Sequence, residues 1–71
     1  MMITLKELLI GFNEIWLAIY AVGATDYVSA WHSHNKENSA AVDELLNHRV
    51  EGYEFEIDTD GDTWLVITMA D

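Results

Sequence analysis

Residues 49–69 read RVEGYEFEIDTDGDTWLVITM, and the pairing chosen for this stretch decides the fold. Two runs rich in aromatic and β-branched side chains flank Asp58-Thr59-Asp60-Gly61-Asp62. Such runs favour strands, and a glycine late in the loop supplies the positive φ that a hairpin return needs. Two registers compete. A two-residue Asp60-Gly61 turn pairs Ile57 with Trp64 and Phe55 with Val66, which sets Leu65 and Ile67 beside Glu54 and Glu56. A three-residue loop, Thr59-Asp60-Gly61 with Gly61 left-handed in a bulge, pairs Phe55 with Leu65 and Tyr53 with Ile67. The second gathers Tyr53, Phe55, Ile57, Leu65 and Ile67 on one face and leaves Glu54, Glu56, Asp58, Asp62, Trp64 and Val66 on the other. A one-residue slip turns every side chain over, so the register that separates apolar from acidic is the one expected. One face is then core, and the other is a ladder of carboxylates around an exposed Trp64.

The rest of the chain supplies what that hairpin packs against. Thr4-Leu5-Lys6-Glu7 fits a capping box, and Leu5, Leu8, Leu9 and Phe12 follow at helical spacing with Gly11 as a stop, which predicts a short helix over residues 5–11. Residues 14–22 alternate Ile15, Leu17 and Ile19 against Trp16, Ala18 and Tyr20; their β-branched and aromatic content favours a strand over a continued helix. Gly23-Ala24-Thr25-Asp26 reads as a turn and residues 27–34 as a second strand, so the two should form a hairpin. After the polar stretch SHNKEN, Asn38 or Ser39 caps a second helix over residues 40–47 with Ala41, Val42, Leu45 and Leu46 inward. The expected fold is α+β in the order αββαββ, one domain spanning residues 1–71. It has a four-stranded, largely antiparallel sheet with two short helices on one face, and its other face is open.

Composition bounds the function. A 71-residue chain without cysteine has no disulfide or thiolate metal site to support a marginal core. Thirteen acidic residues face only Lys6, Lys36 and Arg49, and residues 50–71 hold seven acids and no Lys or Arg. Direct binding to nucleic acid or to an anionic membrane is disfavoured, because phosphate contacts need cations; a basic protein partner is favoured. Eight aromatic residues on so short a chain also admit a homodimer that covers apolar surface. The apolar run at residues 8–22 is interrupted by Asn13 and Glu14 and falls short of the roughly 20 residues a membrane span needs. A soluble, intracellular protein is expected.

Three constellations invite chemistry. Asp58, Asp60 and Asp62 mimic the first ligands of a calcium loop, but the glycine falls at position 61 and Met69 stands where the closing Glu belongs; an acidic turn is the simpler reading. His32 and His34 share a strand face and His48 follows the second helix, so zinc binding would require the three imidazoles to converge. Ser29, Ser33 and Ser39 supply hydroxyls, but no nucleophile elbow or glycine-rich oxyanion turn accompanies them. No enzyme, cofactor or metal is expected. The acidic ladder is the sharper feature. Alternate strand residues lie about 6.6 Å apart, so Glu54, Glu56 and Asp58, continued by Asp60 and Asp62, present a row of charge spaced like the phosphates of a nucleic-acid strand. The plainer reading of the same row is a solvated face that keeps a small, apolar domain in solution.

The opening Thr-Leu-Lys-Glu-Leu-Leu (residues 4–9), Ile-Trp-Leu-Ala-Ile-Tyr (15–20), Leu-Leu-Asn-His-Arg-Val (45–50) and the closing Trp-Leu-Val-Ile (64–67) resemble small acidic proteins of phages and mobile elements. Anti-CRISPR proteins and other DNA-mimic inhibitors are prominent among these. The resemblance implies a stoichiometric, non-enzymatic inhibitor in the bacterial cytoplasm that occupies the nucleic-acid-binding surface of a defence nuclease or CRISPR effector. It carries over no functional residue. The residues expected to meet the partner come from the ladder itself: Glu51, Glu54, Glu56, Asp58, Asp60 and Asp62, with Trp64 as apolar anchor.

Overall fold

The computed structural model describes residues 3–71. Its elements are β1 (Ile3–Thr4), α1 (Leu5–Leu9), β2 (Ile15–Tyr20), β3 (Tyr27–His32), α2 (Ala40–Leu45), β4 (Arg49–Ile57) and β5 (Thr63–Met69). The strands form one sheet in the order β1-β4-β5-β2-β3. The α+β class and the two short helices match expectation, but the sheet has five strands and is mixed. β2 and β5 run parallel, Leu17 beside Leu65 and Ile19 beside Ile67, so two antiparallel hairpins are joined along a parallel seam. The additional strand is β1, which pairs Ile3 with Val50 and Thr4 with Arg49.

Local chemistry places each element. The Thr4 hydroxyl accepts from the Glu7 N–H while the Glu7 carboxylate accepts from the Thr4 N–H, closing the capping box. The Thr4 N–H first, then its hydroxyl, both donating to Glu7 Oε1, hold the Glu7 carboxyl below its usual range. Ser39 occupies the N-cap position of α2 without a side-chain cap bond, because its Oγ accepts from the Trp31 N–H at 2.8 Å instead. In the closing hairpin, Gly61 at φ +86° is the left-handed residue. The Asp58 N–H donates to the Asp62 carbonyl and the Gly61 N–H to the Asp58 carbonyl. The ladder therefore takes the three-residue register, with Phe55 opposite Leu65 and Tyr53 opposite Ile67.

The core lies between the two central strands and the helices. Leu17, Ile19, Leu65, Ile67 and Met69 pack with Leu5, Leu8 and Leu9 of α1 and Val42 of α2, all buried. The face assignment on β4 holds, but its burial does not. Tyr53, Phe55 and Ile57 share the face of Leu65 and Ile67, yet remain 41%, 54% and 73% exposed. The cause is length. Helices of five and six residues span only about 8–9 Å, whereas a nine-residue strand runs about 30 Å. The helices cover β2 and β5 and leave the outer half of β4 largely uncovered, with the Phe12 ring packed on Phe55 at 5.7 Å between centroids.

Candidate functional site

The register of four strands arranges the uncovered face as three rungs. Glu56, Trp64, Trp16 and Trp31 form one; Glu54, Val66, Ala18 and Ser29 the next; Gly52, Thr68, Tyr20 and Tyr27 the third. None of the three cations of the chain lies in them. The tryptophans pack as a row. Trp16 stacks on Trp64 with centroids 5.7 Å apart, and meets Trp31 edge-on at 5.2 Å. Tyr20 and Tyr27 pack at 5.7 Å on the third rung. Offset and edge contacts of this kind stabilise by about 0.5–1.5 kcal/mol beyond area burial.

Between the aromatic rungs the side chains are small. Ala18 and Val66 line a cleft of about 230 Å³ bounded by Trp64 on one side, Tyr20 and Tyr27 on the other, and Glu56 at its rim. A neighbouring hollow of about 350 Å³ continues past Glu54 and Thr68 to Gly23 and Ala24. The face is thus an aromatic floor with a border of carboxylates on the β4 side. Aromatic faces attract cations and carboxylates pair with them, so such a cleft suits lysine or arginine side chains.

The expected partner-binding residues separate into groups. Glu54 and Glu56 stand exposed on the open face beside Val66 and Trp64. Glu51 lies at the irregularity between Val50 and Gly52, near Thr68 and Met69. Asp60 and Asp62 are exposed at the hairpin tip. Asp58 is different: its Oδ1 accepts from the N–H groups of Asp60 and Asp62, and its Oδ2 accepts from the Trp64 indole at 2.8 Å. It fastens the turn to the tryptophan row and is not a free member of a charge ladder. Trp64, expected to stand exposed, is half-buried under Trp16, and Trp16 is the more exposed of the two at 44%. The sequence signal for this was the shared parity of Trp16, Tyr20, Tyr27 and Trp31 on the first hairpin.

The Trp64 indole bond first, then the backbone donors of the turn, hold the Asp58 carboxyl below the usual aspartate range. A lowered folded-state value means stability that is present above the ordinary aspartate range and lost as pH falls through the folded value. Comparing wild type with Asp58→Ala in thermal melts across pH should therefore show a constant gap near neutrality. The gap should close on acidification below that range.

Of the other candidate side chains, His32, His34, Ser33 and Ser39 have local partners. His32 is buried, with Nε2 2.9 Å from the Phe12 carbonyl and Nδ1 3.1 Å from Asn38 Oδ1. His34 packs edge-on against it, and the His48 carbonyl accepts from the Leu5 N–H. Among the described residues, the three histidines are not a set whose ligand atoms converge; only Asp58, Asp60 and Asp62 bring three such atoms within 4.8 Å. Ser33 Oγ accepts from the N–H groups of Asn35 and Lys36, and Ser39 Oγ from Trp31. Among the described residues, no helix is long and apolar enough to cross a membrane. No protein-family model, curated protein or solved structure matches the chain.

Proposed function

We propose that this chain is a non-enzymatic inhibitor that lays its acid-bordered sheet face on the basic, nucleic-acid-binding surface of a partner. A host defence nuclease or CRISPR effector is the class its resemblance implies. The observation that carries the reading is the placement of Glu54 and Glu56. They stand about 6.6 Å apart on alternate residues of β4, on the uncovered face and in register with Val66 and Trp64. Two carboxylates at that repeat meet lysines and arginines that otherwise hold successive phosphates, and the aromatic floor beside them supplies apolar area that a solvated face has no use for. The row is shorter than the sequence suggested, since Asp58 is committed to its turn. The exposed Asp60 and Asp62 extend it at the tip.

The test is capture of host proteins on the immobilised chain, followed by elution in a salt gradient. A DNA- or RNA-handling enzyme released at moderate salt, whose nucleic acid competes with the chain for the same surface, is the expected outcome. A captured partner that binds its nucleic acid and this chain simultaneously would sink the reading.

A further inference from the structure

The two outer edges of the sheet are finished differently. On β3, the outward backbone of Trp31 is closed: its N–H donates to Ser39 Oγ and its carbonyl accepts from the Ser39 N–H. On β4, the short β1 reaches only Arg49 and Val50 among the described residues. From Gly52 onward the ladder itself tells which groups face away from β5. The Asp58 N–H bonds to Asp62, and in an antiparallel pair bonded positions recur at every second residue. Glu56 and Glu54 therefore bond toward β5, whereas Tyr53, Phe55 and Ile57 turn their N–H and C=O groups outward. The same three residues carry the exposed apolar side chains of the helix-covered face, while Glu54 and Glu56 project from the other. An open strand edge with unpaired backbone and apolar side chains is a template for a further strand.

We propose that the edge of β4 from Tyr53 to Ile57 is a docking site for an extended peptide segment in which basic and apolar residues alternate. Strand addition puts every second side chain of the incoming segment beside Glu54 and Glu56, where Lys or Arg fits. The intervening ones lie beside Tyr53, Phe55 and Ile57, where apolar groups fit. A second copy of this chain fits poorly. Antiparallel self-pairing centred on Glu54, Phe55 or Glu56 sets Glu54 against Glu54, Glu54 against Glu56, or Glu56 against Glu56. Like charges directly opposite are destabilising, and each copy already carries a net charge of −10. The homodimer admitted by the composition is therefore not the occupant this edge selects. The proposal rests on the basic-partner reading for its charge, and on the free backbone for its geometry.

The test uses the intact chain and three capped synthetic peptides: Lys-Val-Lys-Val-Lys-Val-Lys, an isomer with its lysines and valines in separate blocks, and the alternating peptide N-methylated along one edge. Amide hydrogen exchange is followed residue by residue. The alternating peptide is expected to bind and to slow exchange at Tyr53, Phe55 and Ile57 by about tenfold or more. The blocked and methylated peptides are expected to leave those amides unprotected. Equal binding of all three without protection would remove the edge site while leaving the open-face reading standing. Absence of binding by the alternating peptide would also overturn the proposal. So would protection of the same amides that grows with protein concentration alone, since a second copy would then hold the edge.

Discussion

Leu65→Ala is expected to take the domain to the brink of unfolding. Leu65 is fully buried on β5, between Leu17 of β2 and Phe55 of β4, beneath both helices. Removing a leucine from such a site costs about 2–5 kcal/mol, the transfer term plus the cavity left behind. At the usual 0.05–0.15 kcal/mol per residue, a chain of 71 residues has roughly 4–11 kcal/mol in all. With no cysteine to brace it, one rung of the core is a large share of that total. Urea titration followed by near-ultraviolet circular dichroism reads the change directly, because the tryptophan row depends on the same strand. A variant that keeps the wild-type midpoint would mean that the helices do not cover this rung.

The second large effect is on binding. Glu54→Gln with Glu56→Gln removes two charges and keeps both side-chain shapes, taking the net charge from −10 to −8. Among the described residues, neither side chain makes a hydrogen bond or ion pair that maintains the fold, so melting should be unchanged or slightly raised as repulsion falls. Affinity for a basic partner, in contrast, should drop by at least about a hundredfold, because two charge-assisted contacts are lost together. The slope of binding against salt should flatten in step. Asp58 is left intact in this pair, since changing it would loosen the hairpin turn and confuse lost charge with lost structure. Titration calorimetry against the captured partner at two salt concentrations separates these outcomes; equal affinity for both proteins would place the contact elsewhere.

How much of this was legible in the sequence depends on the element. The hairpin register was, because the alternation of Glu54 and Glu56 with Tyr53, Phe55 and Ile57 admits only one arrangement that keeps Leu65 away from carboxylates. The capping box was equally plain, its two partners lying three residues apart. β1 was hidden because Thr4 does two jobs, pairing with Arg49 and capping α1, and the stronger local signal belongs to the cap. The parallel contact of β2 with β5 was hidden for another reason. Alternation assigns faces but not neighbours, and Leu17 and Leu65 are separated in the chain by β3, α2 and β4. A trace of it was present: IWLAIY and TWLVIT are apolar on both faces, as strands at the centre of a sheet are. The site was half legible. Its carboxylates could be read from β4 alone, but the tryptophan row crosses three strands and exists only once the parallel register is known.

The parallel seam also sets the tempo at which the molecule comes into being. Each hairpin closes between near neighbours in the chain, a matter of microseconds. Bringing Leu17 to Leu65 means closing a loop of about 50 residues, whose entropy is spent before any contact across the seam is made. The halves can thus be ready long before the whole. Until they meet, each carries one raw flank, the side of β2 that will receive β5 and the side of β5 that will receive β2. A nascent chain at high concentration can satisfy those flanks with the complementary hairpin of a neighbour, an exchange of halves that reproduces every native contact between two molecules. Strong mutual repulsion between chains of charge −10 works against that encounter, so the acidity that suits the finished surface also guards its assembly.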